Sequence, residues 1–156
     1  VYDFLEEQQN IKSIFIEIGG EIRSTSLKSN DQPWKAGIVN PSDQDKIIYT
    51  FLSSSFDSFA LATSGDYRNI RILDEKEFSH TMNTFSGLPS SFSKKSVTVI
   101  SENAMMADAL ATALNAMKLE QAINYSNKEG IKALFITEIE GQTKLLFSDD
   151  LEHVKI

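Results

Sequence analysis

The sequence predicts an α+β fold, a mainly antiparallel sheet with packed helices. Three observations predict it. Strand-like segments are numerous, short and bounded by turn residues. The helical patterns do not alternate with the strands; they group at the start and near the end. A length of 156 residues suits one domain, which can bury roughly 70% of the surface its unfolded chain exposes.

The elements follow in order. Val1, Phe4 and Leu5 share a helical face, with Glu6, Glu7 and Gln8 beside them. These residues read as mid-helix, without a starting methionine, so the chain is expected to be part of a longer protein. An export signal would then lie outside it. Ser13–Ile18 is a strand, broken by Gly19-Gly20 and resumed by Glu21–Arg23. Ser24–Pro33 is a polar loop. Trp34–Val39 is a strand stopped by Asn40-Pro41, and Ile47–Leu52 alternates as a strand should. Phe59–Thr63 is a short strand ended by Ser64-Gly65-Asp66, and Ile70–Leu73 is another. His80–Ser93 reads as a long irregular loop with a Gly87-Leu88-Pro89 turn, the kind of loop that often carries function. Ser96–Ile100 is the cleanest strand. Glu102–Met117 is the main helix, with Ala104, Ala107, Leu110, Ala111, Leu114 and Met117 on its apolar side. Leu119–Lys128 is a second helix, closed by Gly130. Ala133–Ile139 and Thr143–Phe147 form a hairpin around Glu140-Gly141.

Composition narrows the function. The formal net charge is -7 and the sequence pI is near 4.8, which argues against nucleic acid as main partner. A polyanionic ligand would need a metal ion or backbone N–H groups to offset the charge. The chain has no cysteine, so thiol nucleophiles, disulfides and thiolate zinc sites are excluded. No apolar run is long enough for a membrane helix, and no signal peptide is visible.

Asp108 and Thr112 form the first candidate site. Four residues apart on a helix, they project a carboxylate and a hydroxyl from one face. Two hard oxygen donors suit a divalent cation that prefers oxygen, magnesium first. Both residues also have ordinary explanations. Acids are favoured early in a helix by the macrodipole, and a threonine can bond back to a carbonyl one turn earlier. Asp108 has Ala107 and Ala111 beside it, unlike a typical solvated face.

Three further groups have the same double reading. Gly19-Gly20-Glu21 is either a bulge or close backbone approach, or a place where a ligand reaches the main chain and Glu21 accepts from a hydroxyl. Ala62–Asn69 is a hairpin turn, or a site where Ser64 and backbone N–H groups face an anion, Tyr67 stacks and Arg68 pairs with charge. His80 opens the irregular loop and is one of only two histidines; it is structural, or an acid/base or ligand contact. His153 near the C-terminus is expected to be solvated.

Taken in order, several segments resemble one family. They are Ile16–Arg23, Trp34 with Gly37-Ile38 and Pro41, Thr63–Arg68, His80 with Gly87 and Pro89, Ser96–Val99, and Ala107–Ala113. The ordered set resembles the ApbE family, the FAD:protein FMN transferases. It spans nearly the whole chain but only about the C-terminal half of such a protein, with the N-terminal half absent. The resemblance implies an ApbE-like, T-fold-like architecture. It also implies magnesium-dependent transfer of the FMN moiety of FAD to a threonine, sometimes serine, hydroxyl of a partner flavoprotein, with release of AMP. Asp108 and Thr112 match the family's metal ligands. His80 matches a histidine thought to assist catalysis. Met82 matches a position whose backbone lies against FAD, and Glu21 with Ser64-Gly65 match segments lining the flavin site. The family is commonly an exported lipoprotein, which implies a cell-envelope or periplasmic location and a lipid anchor outside this chain.

The chain departs from the family at the histidine loop. An Asp-Pro pair is Asn83-Thr84 here, and a threonine is Ser86. Losing proline frees the backbone, and losing the carboxylate removes a charge beside His80. Ala111 stands where some members carry an additional aspartate. These changes leave two alternatives to the transferase: a flavin-binding homologue without turnover, and an FAD pyrophosphatase giving FMN and AMP. The 156-residue chain alone is expected to be inactive.

Overall fold

A computed structural model describes residues 1–65, 70–73, 76–79, 82, 87 and 96–153, with side chains left undescribed over 70–79. Its strands are β1 (Phe15–Ile18), β2 (Glu21–Ser24), β3 (Lys35–Asn40), β4 (Asp43–Leu52), β5 (Phe59–Gly65), β6 (Ile70–Leu73), β7 (Lys76–Ser79), β8 (Ser96–Ser101), β9 (Lys132–Ile139) and β10 (Gln142–Phe147). Its helices are α1 (Tyr2–Glu6), α2 (Ala104–Ala116), α3 (Leu119–Glu129) and α4 (Asp149–Glu152), with a 3-10 turn at Ser53–Ser55. Every paired strand is antiparallel, so the expected fold class holds.

The central sheet has the order β1-β2-β5-β8-β9-β10. Its two faces are read from which side chains cluster together. Phe59, Leu61, Ile100, Leu134 and Ile136 point to one face, where Ala36, Ile38 and Phe51 of the β3–β4 ribbon and Leu151 of α4 cover them. Val97, Val99, Ala133 and Phe135 point to the other, under Ala111 and Leu114 of α2 and Ala122 of α3. The result is three layers: ribbon, sheet, helix pair. Fully burying each large side chain in these clusters stabilises the fold by about 1.5–3 kcal/mol.

Local sequence explains the joints. Gly19 and Gly20 both have positive φ, 69° and 107°, and Ile18 pairs directly with Glu21. Two left-handed residues make the tight turn that joins β1 to β2. The bulge reading of this pair is therefore replaced by a two-residue hairpin. Asn103 caps α2, its side-chain oxygen accepting from the Met106 N–H at 2.9 Å. Gly130, at φ 65°, ends α3 in the left-handed conformation that favours glycine. Ser148 Oγ is buried but satisfied. It donates to the Ile131 carbonyl at 2.7 Å and accepts from the Ala133 N–H at 2.9 Å, pinning α4 to the start of β9.

Several elements differ from the sequence reading. Strand β4 begins at Asp43 rather than Ile47, because its partner β3 continues through Asn40 and Pro41-Ser42 makes the turn. Strand β5 does not stop at Thr63; Ser64 and Gly65 pair with Val97 and Ser96. Strand β7 and helix α4 carry too little periodic signal to be read in advance. Helix α1 exists, but it buries no residue: Phe4 is 66% exposed, and Val1 just before it 83%.

Candidate functional site

Strand alternation sorts the candidate residues by face. Ile22 packs into the ribbon-side cluster, so its neighbours Glu21 and Arg23 point to the helix side. Leu61 is on the ribbon side, so Ala62 and Ser64 point to the helix side, and Ser64 pairs with Val97 of the helix-side cluster. Helix α2 leaves β8 at Ser101, next to Ala60 in register, and returns along β5. Glu21, Ser64, Asp108 and Thr112 therefore all belong to the helix-side half of the protein. Gly65 falls on the ribbon-side phase, with Ser96 as its partner.

Asp108 and Thr112 are both solvent-exposed on α2, while Ala107 and Ala111, the residue before each, are buried. The helix lays its alanines on the sheet and turns the carboxylate and hydroxyl outward. Among the described residues neither side chain makes a hydrogen bond or ion pair with another protein group. The threonine thus does not spend its hydroxyl on a carbonyl one turn earlier. Ala111 has 0% exposure and packs in the cluster of Val97, Val99 and Phe135 rather than on the Asp108 face.

A metal test of this donor set gives a partial fit. One carboxylate and one hydroxyl at i and i+4 are two oxygen ligands of a site that needs about six. No group of three His, Cys, Asp or Glu side chains able to hold a metal exists among the described residues. Magnesium characteristically accepts such sparse protein ligation, completing its shell with water and substrate phosphate.

The other candidates are placed as follows. Glu21 is partly exposed, and its Oε2 lies 3.0 Å from where a side chain on Gly19 would begin. The carboxylate therefore folds over the glycine turn. Ser64 is partly exposed and Gly65 buried. Next to them Thr63 and Thr98 share a hydroxyl–hydroxyl bond of 2.8 Å, tying the end of β5 to β8. Met82 is 49% exposed. His80, Asn83, Thr84 and Ser86 lie outside the described residues, as do Tyr67 and Arg68. His153 is exposed, as expected.

Arg23 was missed by sequence reasoning. It shares a strand face with Glu21, pairs with Asp3 at 3.0 Å and stacks 4.1 Å over the Tyr2 ring. Tyr2 also donates to Glu6. Burial pushes the Tyr2 phenol above its usual range, and that hydrogen bond adds to the effect. The available signal was the polar alternation Glu21-Ile22-Arg23, which puts two charges on one face.

Comparison with known proteins places the chain in a family. The sequence model of the ApbE family matches residues 1–135. An FAD:protein FMN transferase from Vibrio cholerae is 34% identical over 140 residues, covering 90% of this chain and 41% of the relative. The FAD:protein FMN transferase of Salmonella typhimurium is 31% identical over 88% of this chain and 39% of the relative. Among solved structures, the flavinyl transferase ApbE of Pseudomonas stutzeri in its apo form superposes with a TM-score of 0.80 at 27% identity, over 98% of this chain and 46% of that one. The ApbE protein of Thermotoga maritima gives 0.76 at 28% identity, over 91% and 44%. This chain therefore spans less than half the length of the proteins it matches. With its family model matched over most of its length and its fold shared with solved members, the chain belongs to the ApbE family.

Proposed function

We propose that this chain forms the C-terminal portion of a magnesium-dependent FAD:protein FMN transferase. A threonine or serine hydroxyl of an acceptor flavoprotein attacks the phosphorus of the FMN half of FAD. The new bond is a phosphoester, the bridging P–O bond of the pyrophosphate breaks, AMP departs and the hydroxyl proton is lost. Membership of the family and the names of the relatives support the reaction class. The observation that carries the assignment to this chain is the outward-facing pair Asp108 and Thr112, with oxygens unengaged by other described groups.

In this reading Asp108 and Thr112 hold magnesium, which when bound neutralises pyrophosphate oxygens and stabilises charge on the transferring phosphoryl group. The ion also reconciles a chain of net charge -7 with an anionic substrate. Glu21 accepts from a hydroxyl of the flavin nucleotide. Ser64, held in place by the Thr63–Thr98 bond beside it, offers a hydroxyl and the adjoining backbone. Met82 supplies backbone against FAD, and His80 serves as acid/base or leaving-group assistant. The resemblance further suggests an envelope location.

A single assay tests the reading. The intact protein is incubated with FAD, magnesium and an acceptor domain, and the acceptor mass is measured. Covalent FMN on the acceptor is the expected result. Free FMN and AMP without modified acceptor would replace the transferase by a pyrophosphatase. Unchanged bound FAD would replace it by a binding homologue, the alternative that the Asn83-Thr84 departure permits.

A further inference from the structure

Strands β5 and β8 are tied by a side-chain bond just before the Ser64-Gly65 end of β5. Thr63 and Thr98 are direct partners in register, and their hydroxyls lie 2.8 Å apart. Both side chains point to the ribbon side, with Leu61, Ile100 and Leu134 as apolar neighbours. Thr98 is 1% exposed, whereas Thr63 is partly exposed. The next pair along this face offers no such tie. Gly65 has no side chain, and the buried hydroxyl of its partner Ser96 has no hydrogen-bond partner among the described residues. Among those residues Thr63–Thr98 is thus the last side-chain hydrogen bond between β5 and β8 before Ser64 and Gly65.

Stability alone does not call for this bond. Two hydroxyls on an apolar face can be replaced together by apolar groups of the same shape at little cost. Valine has that shape and the same preference for a strand. A hydrogen bond, unlike a methyl contact, is directional. It therefore sets how the end of β5 lies against β8. We propose that Thr98 is a positioning residue for the flavin nucleotide: acting through Thr63, it orients Ser64 and Gly65 to receive it. This rests on the proposed lining of the nucleotide site by those two residues.

The test is FAD binding to the intact protein in magnesium buffer, followed by flavin fluorescence, with urea unfolding of each variant alongside. Thr98→Val keeps the shape and loses the hydroxyl, while Thr98→Ser keeps the hydroxyl and loses a buried methyl. Affinity and stability should therefore cross over. Thr98→Val should fold about as stably as the parent, because the partly exposed Thr63 hydroxyl can turn to water. Its Kd for FAD should rise by about two- to twelvefold, the range that one net hydrogen bond covers. Thr98→Ser should be the less stable protein and bind FAD close to the parent. Thr63→Val breaks the same bond from the other side and should weaken FAD binding as Thr98→Val does, which keeps the test open if Thr98→Val does not fold. In transfer assays the loss should appear as a raised KM for FAD with kcat unchanged. A parent-like Kd in either valine variant overturns the proposal, as does Thr98→Ser binding at least as weakly as Thr98→Val. A parent protein that binds no FAD would remove the nucleotide site itself, and this assignment with it.

Discussion

Replacing Ala111 by Asp separates two accounts of helix α2. The family resemblance implies that an acidic residue can stand at this position, which would suggest an extra metal ligand. In this structure Ala111 has 0% exposure and sits against Val97, Val99 and Phe135. A carboxyl group there enters a filled apolar layer. Overpacking costs about 1–3 kcal/mol, and an unpartnered buried polar group costs about 1–3 kcal/mol more. Ionisation adds to this. Burial raises the folded-state pKa of the new carboxyl above its unfolded value of about 3.9, so the added penalty is absent below that value and grows as pH rises towards the folded one. At pH 7, about three pH units higher, it reaches up to about 4 kcal/mol at about 1.4 kcal/mol per unit. The total rivals the whole stability of a domain, about 5–15 kcal/mol. Urea unfolding of Ala111→Asp and the parent chain at pH 4 and pH 7 reads this directly. The variant should be weakened at pH 4 and mostly unfolded at pH 7, with no gain in magnesium binding. Wild-type stability at pH 7 with tighter magnesium binding would refute the reasoning, because α2 would then have to present Ala111 to the Asp108 face.

Other changes have smaller and distinct signatures. Asn103→Ala removes the α2 cap and should cost about 1 kcal/mol in thermal or urea unfolding. Leu114→Ala, at a site with 0% exposure between α2 and the sheet, should cost about 2–5 kcal/mol in the same measurement. Arg23→Ala releases an ion pair to Asp3 and a cation–π contact to Tyr2 that hold α1, which buries no residue of its own. Amide exchange should quicken over residues 2–7 while the central sheet keeps its protection; unchanged exchange in α1 would show that other contacts hold it.

Much of this was readable because pattern and packing agree. The stretch from Ser96 to Gly130 contains an unbroken apolar strand, an alanine-rich helix and a glycine stop. Each appears within a few residues of its predicted place. The Glu140-Gly141 hairpin was equally plain, with both residues at positive φ. Boundaries set by a partner strand were not readable. Asp43–Lys46 extends β4 because β3 lies alongside, and Ser64-Gly65 stays in β5 because β8 continues to pair with it. At the candidate site, the i, i+4 spacing showed that Asp108 and Thr112 share a face. Only the packing of Ala107 and Ala111 shows that this face is outward. The common side of Glu21, Ser64 and α2 depends on strand register, which a single sequence does not state. Arg23 was legible as a charge but not as the anchor of α1, since its partners come from a helix about twenty residues away in sequence.

The central claim is that Asp108, with Thr112, holds the magnesium used in FMN transfer. It is tested most directly by comparing the intact protein with its Asp108→Ala variant in a magnesium titration of FMN transfer from FAD to an acceptor domain. Magnesium affinity is followed separately by calorimetry in the presence of FAD. Asp108 is exposed, so the variant should fold normally. The account predicts magnesium-dependent covalent flavin for the parent protein, with both the product and the magnesium affinity lost in the variant. Equal product with the same magnesium dependence in the variant would contradict it.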